Sequence, residues 1–468
     1  MYYLLDEKYM LRGYEKLPYC LVKRPYNDII FFNGKAFHAL EMCDGTIDLS
    51  LPLITDESRE MVRQLEEKGI VHPCDTPSKL KEGQAYKKYG NRYIRTAHWS
   101  ITGKCNFRCK HCYMSAPDAK YGELPHETVM DIARQIVDCG IGEVSLTGGE
   151  PLVRKDFLEI VELFVKNGVV ISQIYSNGNL VTKELLTALD RLGVHPEFNM
   201  SYDGDDGWHD WLRGIPNAGK IVLDAFDLCH EMGFPTGSEM CLHKGNLHLL
   251  RQSVNTLAKH HCRSLKTNPV SDTELWSRYS ADYSISLREL YDAYLEYIPQ
   301  FFEDGMPVSI MLGGFFSCRR AKTDWEIPSQ KQEGNEPCEN AVICGHARQT
   351  LYISPEGRML PCMPLSALPM QEDYPLITDI GLAKGLSDSS YMELINTRLS
   401  EYLDRNAECR SCEYRWQCAG GCRGSALQYD PDNIMGQDKA VCMLFRGGYA
   451  DKIRETAEKA VRKLQSAD

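Results

Sequence analysis

Between residues 95 and 275, short apolar runs alternate with longer segments whose apolar residues recur every three or four positions. The runs at 99–102, 144–147, 169–174, 198–201, 236–241 and 264–267 read as buried strands. Val129, Ile132, Ala133, Ile136 and Val137 mark a helix between the first two runs. Further helices are predicted over 157–165, around Leu185, Leu186 and Leu189, and over 221–232 and 249–258. Alternation of this kind implies a parallel α/β sheet, and six repeats predict a partial (β/α)6 TIM-like barrel. Chemistry in such barrels sits at the C-terminal ends of the strands.

The pattern changes on either side. Residues 1–78 show alternating stretches at 19–23 and 29–32, then the segment 37–43, closed by Asp44-Gly45. A helix follows from about Asp56, with Met61, Val62 and Leu65 on one face and Gly69 as its stop. Strands followed by short helices predict a small α+β, winged-helix-like domain. The polar stretch from Asp75 to Asn91 predicts a linker, placed at 79–94. Residues 276–335 read as a connecting segment with one helix over 287–302 and a polar loop over 322–335. Residues 336–448 are cysteine-rich and read as loop-rich, with few apolar runs, and a terminal helix lies within 449–468.

Composition narrows the class. The 468 residues carry a formal net charge of −12, which argues against bulk nucleic-acid binding. No run of eighteen apolar residues and no signal-like N-terminus is found, so a cytoplasmic protein without a membrane partner is expected. Disulfides are rare in that compartment, so clustered members of the 19 cysteines point to metal or redox chemistry. Cys20, Cys43, Cys139 and Cys229 sit in apolar patterns and are expected to be small buried hydrophobes.

Eleven other cysteines fall at ligand-like spacings. Cys105, Cys109 and Cys112 form C-x3-C-x2-C just after the first strand. Zinc sites usually pair two-residue gaps with a second ligand pair. A three-then-two gap with no nearby fourth ligand suits a four-iron cluster with one open iron. Gly148-Gly149-Glu150 follows the second strand, where glycines let the backbone approach a ligand and a carboxylate can accept bonds from an ammonium. Ser176-Asn177 and Ser201-Tyr202-Asp203 follow the third and fourth strands, with His209 and Arg213 downstream. Turn or N-cap roles suit Ser176, Asn177, Ser201 and Asp203 equally well, as a structural salt bridge suits Arg213. Farther on come Cys338, Cys344, Cys362, then Cys409-x2-Cys412-x5-Cys418-x3-Cys422, and Cys442. Structural zinc is the redox-silent alternative for these.

Together these segments resemble the radical S-adenosylmethionine (radical SAM) enzymes. The resemblance implies that the open iron of a cluster on Cys105, Cys109 and Cys112 binds SAM. It implies that Gly148, Gly149 and Glu150 contact the methionine amine, that Ser176, Asn177, Ser201, Asp203 and Arg213 hold the ribose and carboxylate, and that His111 packs near the adenine. The later cysteines resemble the SPASM domain. That resemblance implies two auxiliary [4Fe-4S] clusters, one on Cys338, Cys344, Cys362 and Cys422 and one on Cys409, Cys412, Cys418 and Cys442, three clusters in all. Residues 1–78, through Ala39–Gly45 and Leu65–Val71, resemble the PqqD-like leader-binding domain of peptide-modifying enzymes. The implied activity is hydrogen abstraction by a 5′-deoxyadenosyl radical from a precursor peptide with a leader, with flavodoxin or ferredoxin as reducing partner. The expected product is foremost a cysteine sulfur-to-carbon thioether of the sactipeptide or ranthipeptide type, then a carbon–carbon or carbon–oxygen crosslink. Anaerobic formylglycine formation on a sulfatase and a non-catalytic iron–sulfur leader-binding protein are the alternatives. The barrel mouth offers too many Asp, Glu and Tyr residues for a catalytic base to be named.

Overall fold

The computed structural model describes residues 1–24, 28–118 and 120–466. A sheet of 11 strands organises it. Its parallel strands are β1 (Thr96–Ser100), β2 (Glu143–Thr147), β3 (Val170–Ser176), β4 (Glu197–Ser201), β5 (Thr236–Leu242), β6 (Ser264–Pro269), β7 (Ser309–Leu312) and β8 (Thr350–Ile353). Their spatial order is β7-β6-β5-β4-β3-β2-β1-β8. This is the partial barrel that the alternation predicts.

Period-two alternation divides each strand between two environments. Phe198 and Met200 of β4, and Met240 and Leu242 of β5, enter the core beneath the helices. Glu197, Asn199, Ser201, Glu239 and Cys241 point the other way and are only half-buried. The lumen is therefore polar while the outer layer is apolar. Helices His126–Asp138, Phe157–Lys166, Lys183–Arg191, Ala218–Glu231, Leu250–Lys259 and Leu287–Glu303 supply that layer. The last begins with a capping box: Ser286 accepts from the Glu289 N–H, and the Glu289 carboxylate accepts from the Ser286 N–H.

The barrel is larger than the six repeats suggest. The segment expected only to connect adds β7, which pairs in parallel with β6 after its own helix. From the cysteine-rich region, β8 pairs in parallel with β1, Thr350 opposite Thr96. Without β8, β1 would be an exposed edge at the heart of the molecule. Nor is that region mere loop. Short helices such as Leu399–Arg405 and Arg423–Leu427 contribute to small cores, one around Leu399, Tyr402 and Trp416, another around Leu360, Leu365 and Leu427. The terminal helix, Tyr449–Gln465, packs on Leu287–Glu303, where Tyr449 donates to Asp292 at 2.7 Å.

The N-terminal unit has a core of its own, including Leu5, Leu21, Phe37, Leu40, Val62 and Leu65. Strands Tyr2–Leu5 and Val71–Cys74 pair antiparallel, and a second sheet joins Asp28–Phe31, Leu17–Lys23, Tyr9–Tyr14 and Lys87–Lys88. Helices Gly34–Glu41 and Asp56–Glu67 pack on them. The polar stretch 75–91 differs from a free linker. Buried Gln84 donates through Nε2 to the carbonyls of Leu5, Asp6 and Tyr9 at 3.3, 3.0 and 3.1 Å. Lys87–Lys88 then adds a strand beside Tyr9–Tyr14. Polar side chains here satisfy neighbouring carbonyls instead of water. Cys20, Cys43, Cys139 and Cys229 are all buried, as expected of small hydrophobes.

Gln84→Leu leaves those carbonyls without their donor. It is expected to cost about 1–3 kcal/mol, read as a lower urea midpoint for the tyrosine fluorescence of the N-terminal unit.

Candidate active site at the barrel mouth

The cysteine loop leaves β1 at its C-terminal end and has no regular structure between Ile101 and Ser115. Its backbone groups pair instead with its neighbours. Ile101 N–H donates to the Thr147 carbonyl at 3.0 Å, and Arg108 and Lys110 N–H donate to the Arg213 and Leu212 carbonyls at 3.2 and 2.8 Å. From the turn after β2, Gly149 and Glu150 N–H donate to Thr102 and Lys104, each at 2.9 Å. That approach needs glycine: a Cβ on Gly148 would lie 2.4 Å from the Thr102 carbonyl oxygen, and one on Gly149 2.3 Å from that of Lys104.

Glu150 is fully buried, and its carboxylate accepts from Ser176 Oγ at 3.0 Å, Asn177 N at 2.7 Å and Leu152 N at 3.1 Å. Burial pushes its carboxyl up to about 7 against the pull of those donors. The side chain thus ties the ends of β2 and β3 together. Asn177 turns its Nδ2 to Asn106 Oδ1 at 2.7 Å, with Cys105 Sγ 3.9 Å away. Asn106 also donates to Asn179 at 2.8 Å, a contact that no motif signalled. Ser201 ends β4, half-buried on the lumen side.

Asp203 is committed inside the protein. Its carboxylate accepts from Arg213 Nε at 2.6 Å and Nη2 at 3.1 Å and from the Cys241 N–H at 2.9 Å, with His209 Nδ1 3.0 Å away. Burial alone would raise its carboxyl, but the guanidinium and His209 outweigh it and hold the group well below the usual carboxylate range. Arg213 is thus engaged in a buried salt bridge with Asp203. Its Nη1 lies 3.9 Å from Cys109 Sγ, a cation placed where a thiolate would form. His111 Nδ1 is buried without a protein partner, and burial pushes the imidazole down to about 3, so the ring is neutral.

The cysteines fall into three neighbourhoods. Cys105, Cys109 and Cys112 lie within electrostatic reach of one another. Cys344, Cys362 and Cys422 do likewise, as do Cys409, Cys412, Cys418 and Cys442. Cys338, Cys344 and Cys409 all pack against the small core around Trp416, and Cys338 Sγ lies 3.9 Å from the Trp416 carbonyl. Among the described residues no group of three or more His, Cys, Asp or Glu side chains is arranged to hold a metal ion.

Residues 99–248 match the profile of the Radical SAM superfamily. This is a radical SAM enzyme. Such a domain implies SAM and one [4Fe-4S] cluster, and three thiols from one loop are the ligand chemistry that such a cluster takes. The AdoMet-dependent heme synthase of Methanosarcina barkeri is 26% identical over 369 residues, 76% of this radical SAM enzyme and 97% of the relative. The PqqA peptide cyclase of Gluconobacter oxydans is 25% identical over 366 residues, 76% and 92% respectively. Among solved structures, Streptococcus suis SuiB bound to S-adenosylmethionine superposes with a TM-score of 0.62 at 15% identity, over 93% of this chain and 99% of that one. The enzyme anSMEcpe with bound AdoMet and Cp18Cys peptide gives 0.55 at 16% identity, over 78% and 99%. At these identities the superpositions speak for the fold. No helix among the described residues is long and apolar enough to cross a membrane.

Two outcomes follow for the radical SAM site. Asp203→Asn strands the buried Arg213 cation and is expected to cost about 3–5 kcal/mol, measured by urea unfolding. In the lumen, burial pushes His98 down to about 4. A histidine whose folded pKa lies below its unfolded value destabilises the fold as pH falls from about 6.5 towards 4. His98→Gln should therefore lose less stability than wild type between pH 7 and pH 5.

Proposed function

We propose that this radical SAM enzyme matures a ribosomally made precursor peptide by joining a cysteine sulfur to a carbon of another residue. What supports the reading is the electrostatic proximity of two further sets of thiols outside the radical loop: Cys344, Cys362 and Cys422, to which we assign Cys338 as the fourth member, and Cys409, Cys412, Cys418 and Cys442. Each set suits a fully ligated four-iron cluster. Forming a sulfur–carbon bond after hydrogen abstraction leaves one surplus electron, which such groups can accept. When bound, the cluster on Cys105, Cys109 and Cys112 supplies the electron that cleaves SAM to methionine and the 5′-deoxyadenosyl radical.

The chain's own residues hold the loop, keep its surroundings dry and position the peptide. The 148–150 backbone, Ser176, Asn177, Ser201 and His111 are the proposed surroundings of SAM, with Glu150, Asp203 and Arg213 acting behind them. Similarity to a PqqA peptide cyclase supports a peptide substrate. So does the fold match to SuiB bound to precursor peptide SuiA, which covers 91% of this chain, more than residues 79–468 alone could provide. Leader recognition by residues 1–78 and reduction by flavodoxin or ferredoxin complete the proposal. A carbon–carbon or carbon–oxygen link is the second reading, favoured by relatives named peptide cyclases.

The test is anaerobic. The reconstituted protein should hold about twelve irons. With reductant, SAM and a cysteine-containing candidate precursor peptide, it should form 5′-deoxyadenosine and a peptide about two mass units lighter. Loss of one iodoacetamide-reactive thiol marks a thioether, whereas a lighter peptide with every thiol intact favours the second reading. Nucleoside formation with an unchanged peptide would refute both.

A further inference from the structure

One charge pair in the barrel lumen is used by neither the radical site nor the cysteine groups. Glu239 of β5 and Lys266 of β6 are register partners on adjacent parallel strands. Their neighbours Met240 and Leu265 enter the core under the helices, so the two charged side chains face the lumen. Lys266 Nζ lies 3.6 Å from Glu239 Oε1, and the side chains are 48% and 34% exposed.

Elimination singles out the carboxylate. Glu143 and Glu197 start their strands, at the far end of the barrel, and are held by Arg95 and Gln173. Glu150 and Asp203 are buried and saturated with donors. Glu239 lies mid-strand and accepts no hydrogen bond from the described residues beyond its Lys266 contact. Its charge is felt at Tyr113, next to Cys112, and at Tyr175 and Cys241. That of Lys266 is felt at His98, His346 and the Cys362 thiol. The pair is thus within electrostatic reach of both the radical loop and the Cys344, Cys362 and Cys422 group.

We propose that Glu239 is the base that removes the thiol proton of the substrate cysteine as the sulfur–carbon bond forms, with Lys266 orienting the carboxylate. This inference rests on the thioether reading above. The balance is as follows. The substrate carbon gives one hydrogen atom to the 5′-deoxyadenosyl radical. The S–H bond breaks heterolytically and its proton goes to Glu239. A sulfur lone pair and the carbon's unpaired electron make the new bond, and the one electron in excess would leave to an iron–sulfur acceptor, which Cys338, Cys344, Cys362 and Cys422 would hold. A carboxylate is a weak base for a free thiol, but sulfur becomes far more acidic once its lone pair is shared with carbon.

The experiment compares the reconstituted wild-type, Glu239→Gln and Glu239→Asp enzymes on the cysteine-containing precursor peptide. Two quantities are read: crosslinked peptide formed per 5′-deoxyadenosine, and peptide Kd measured without reductant. In Glu239→Gln the ratio should fall about 100-fold or more while Kd changes by less than about twofold, and Glu239→Asp should recover part of the ratio. A Glu239→Gln ratio within about threefold of wild type would overturn the assignment and leave the thioether reading standing. A loss of affinity that matches the loss of product would also overturn it, making Glu239 a binding contact. A wild-type enzyme that forms no thioether would sink the reading itself, and the base with it. The amide is isosteric at a half-exposed position, and iron content verifies the fold of each variant.

Discussion

Three thiols must be presented from a segment that has no hydrogen-bond ladder of its own, and the rest of the site follows from that constraint. Backbone N–H and C=O groups removed from water need partners. Between Ile101 and Ser115 the partners come from the turn after β2 and from the end of the helix that carries Arg213. Gly148 and Gly149 bring the first of these into contact, and the Asp203–Arg213 pair anchors the second. Residues that resemble cofactor contacts in one dimension thus also, in three, hold the loop in place.

The barrel was legible because its strands carry unbroken alternation, as in Phe198 and Met200, with helices between them at helical period. What escaped notice did so for physical reasons. The four residues of β8 lie within a cysteine-dominated stretch, where a short apolar run cannot be told from a loop anchor. The run at 308–312, which contains β7, was the signal that could have extended the barrel. Gln84 is polar in sequence whether it faces water or three carbonyls. Local composition cannot distinguish a linker from a strand that is stitched in by side-chain donors.

The site was legible in its members but not in their relations. Glu150, Ser176 and Asn177 were all candidates, yet they are one another's partners. Arg213 and Asp203, listed apart along the chain, form one buried unit reaching Cys109. Glu239 and Lys266 belong to no motif. Only the register of β5 against β6 makes them a pair. Spacing along a chain reports residues held by one loop, whereas charge pairs across a sheet depend on strand alignment that the sequence encodes only indirectly.

The pairing of β8 with β1 also bears on how the molecule is made. Strand β1 leaves the ribosome early, bearing the segment that becomes the cysteine loop, while β8 is among the later parts to appear. Until then one edge of β1 is open, and an open edge invites pairing with other chains. The barrel can close on that side only once the cysteine-rich region has been synthesised, so the last third of the protein serves as the final stave of the first barrel it meets. A nascent chain halted before residue 350 would expose that edge, and its safe passage would fall to chaperones.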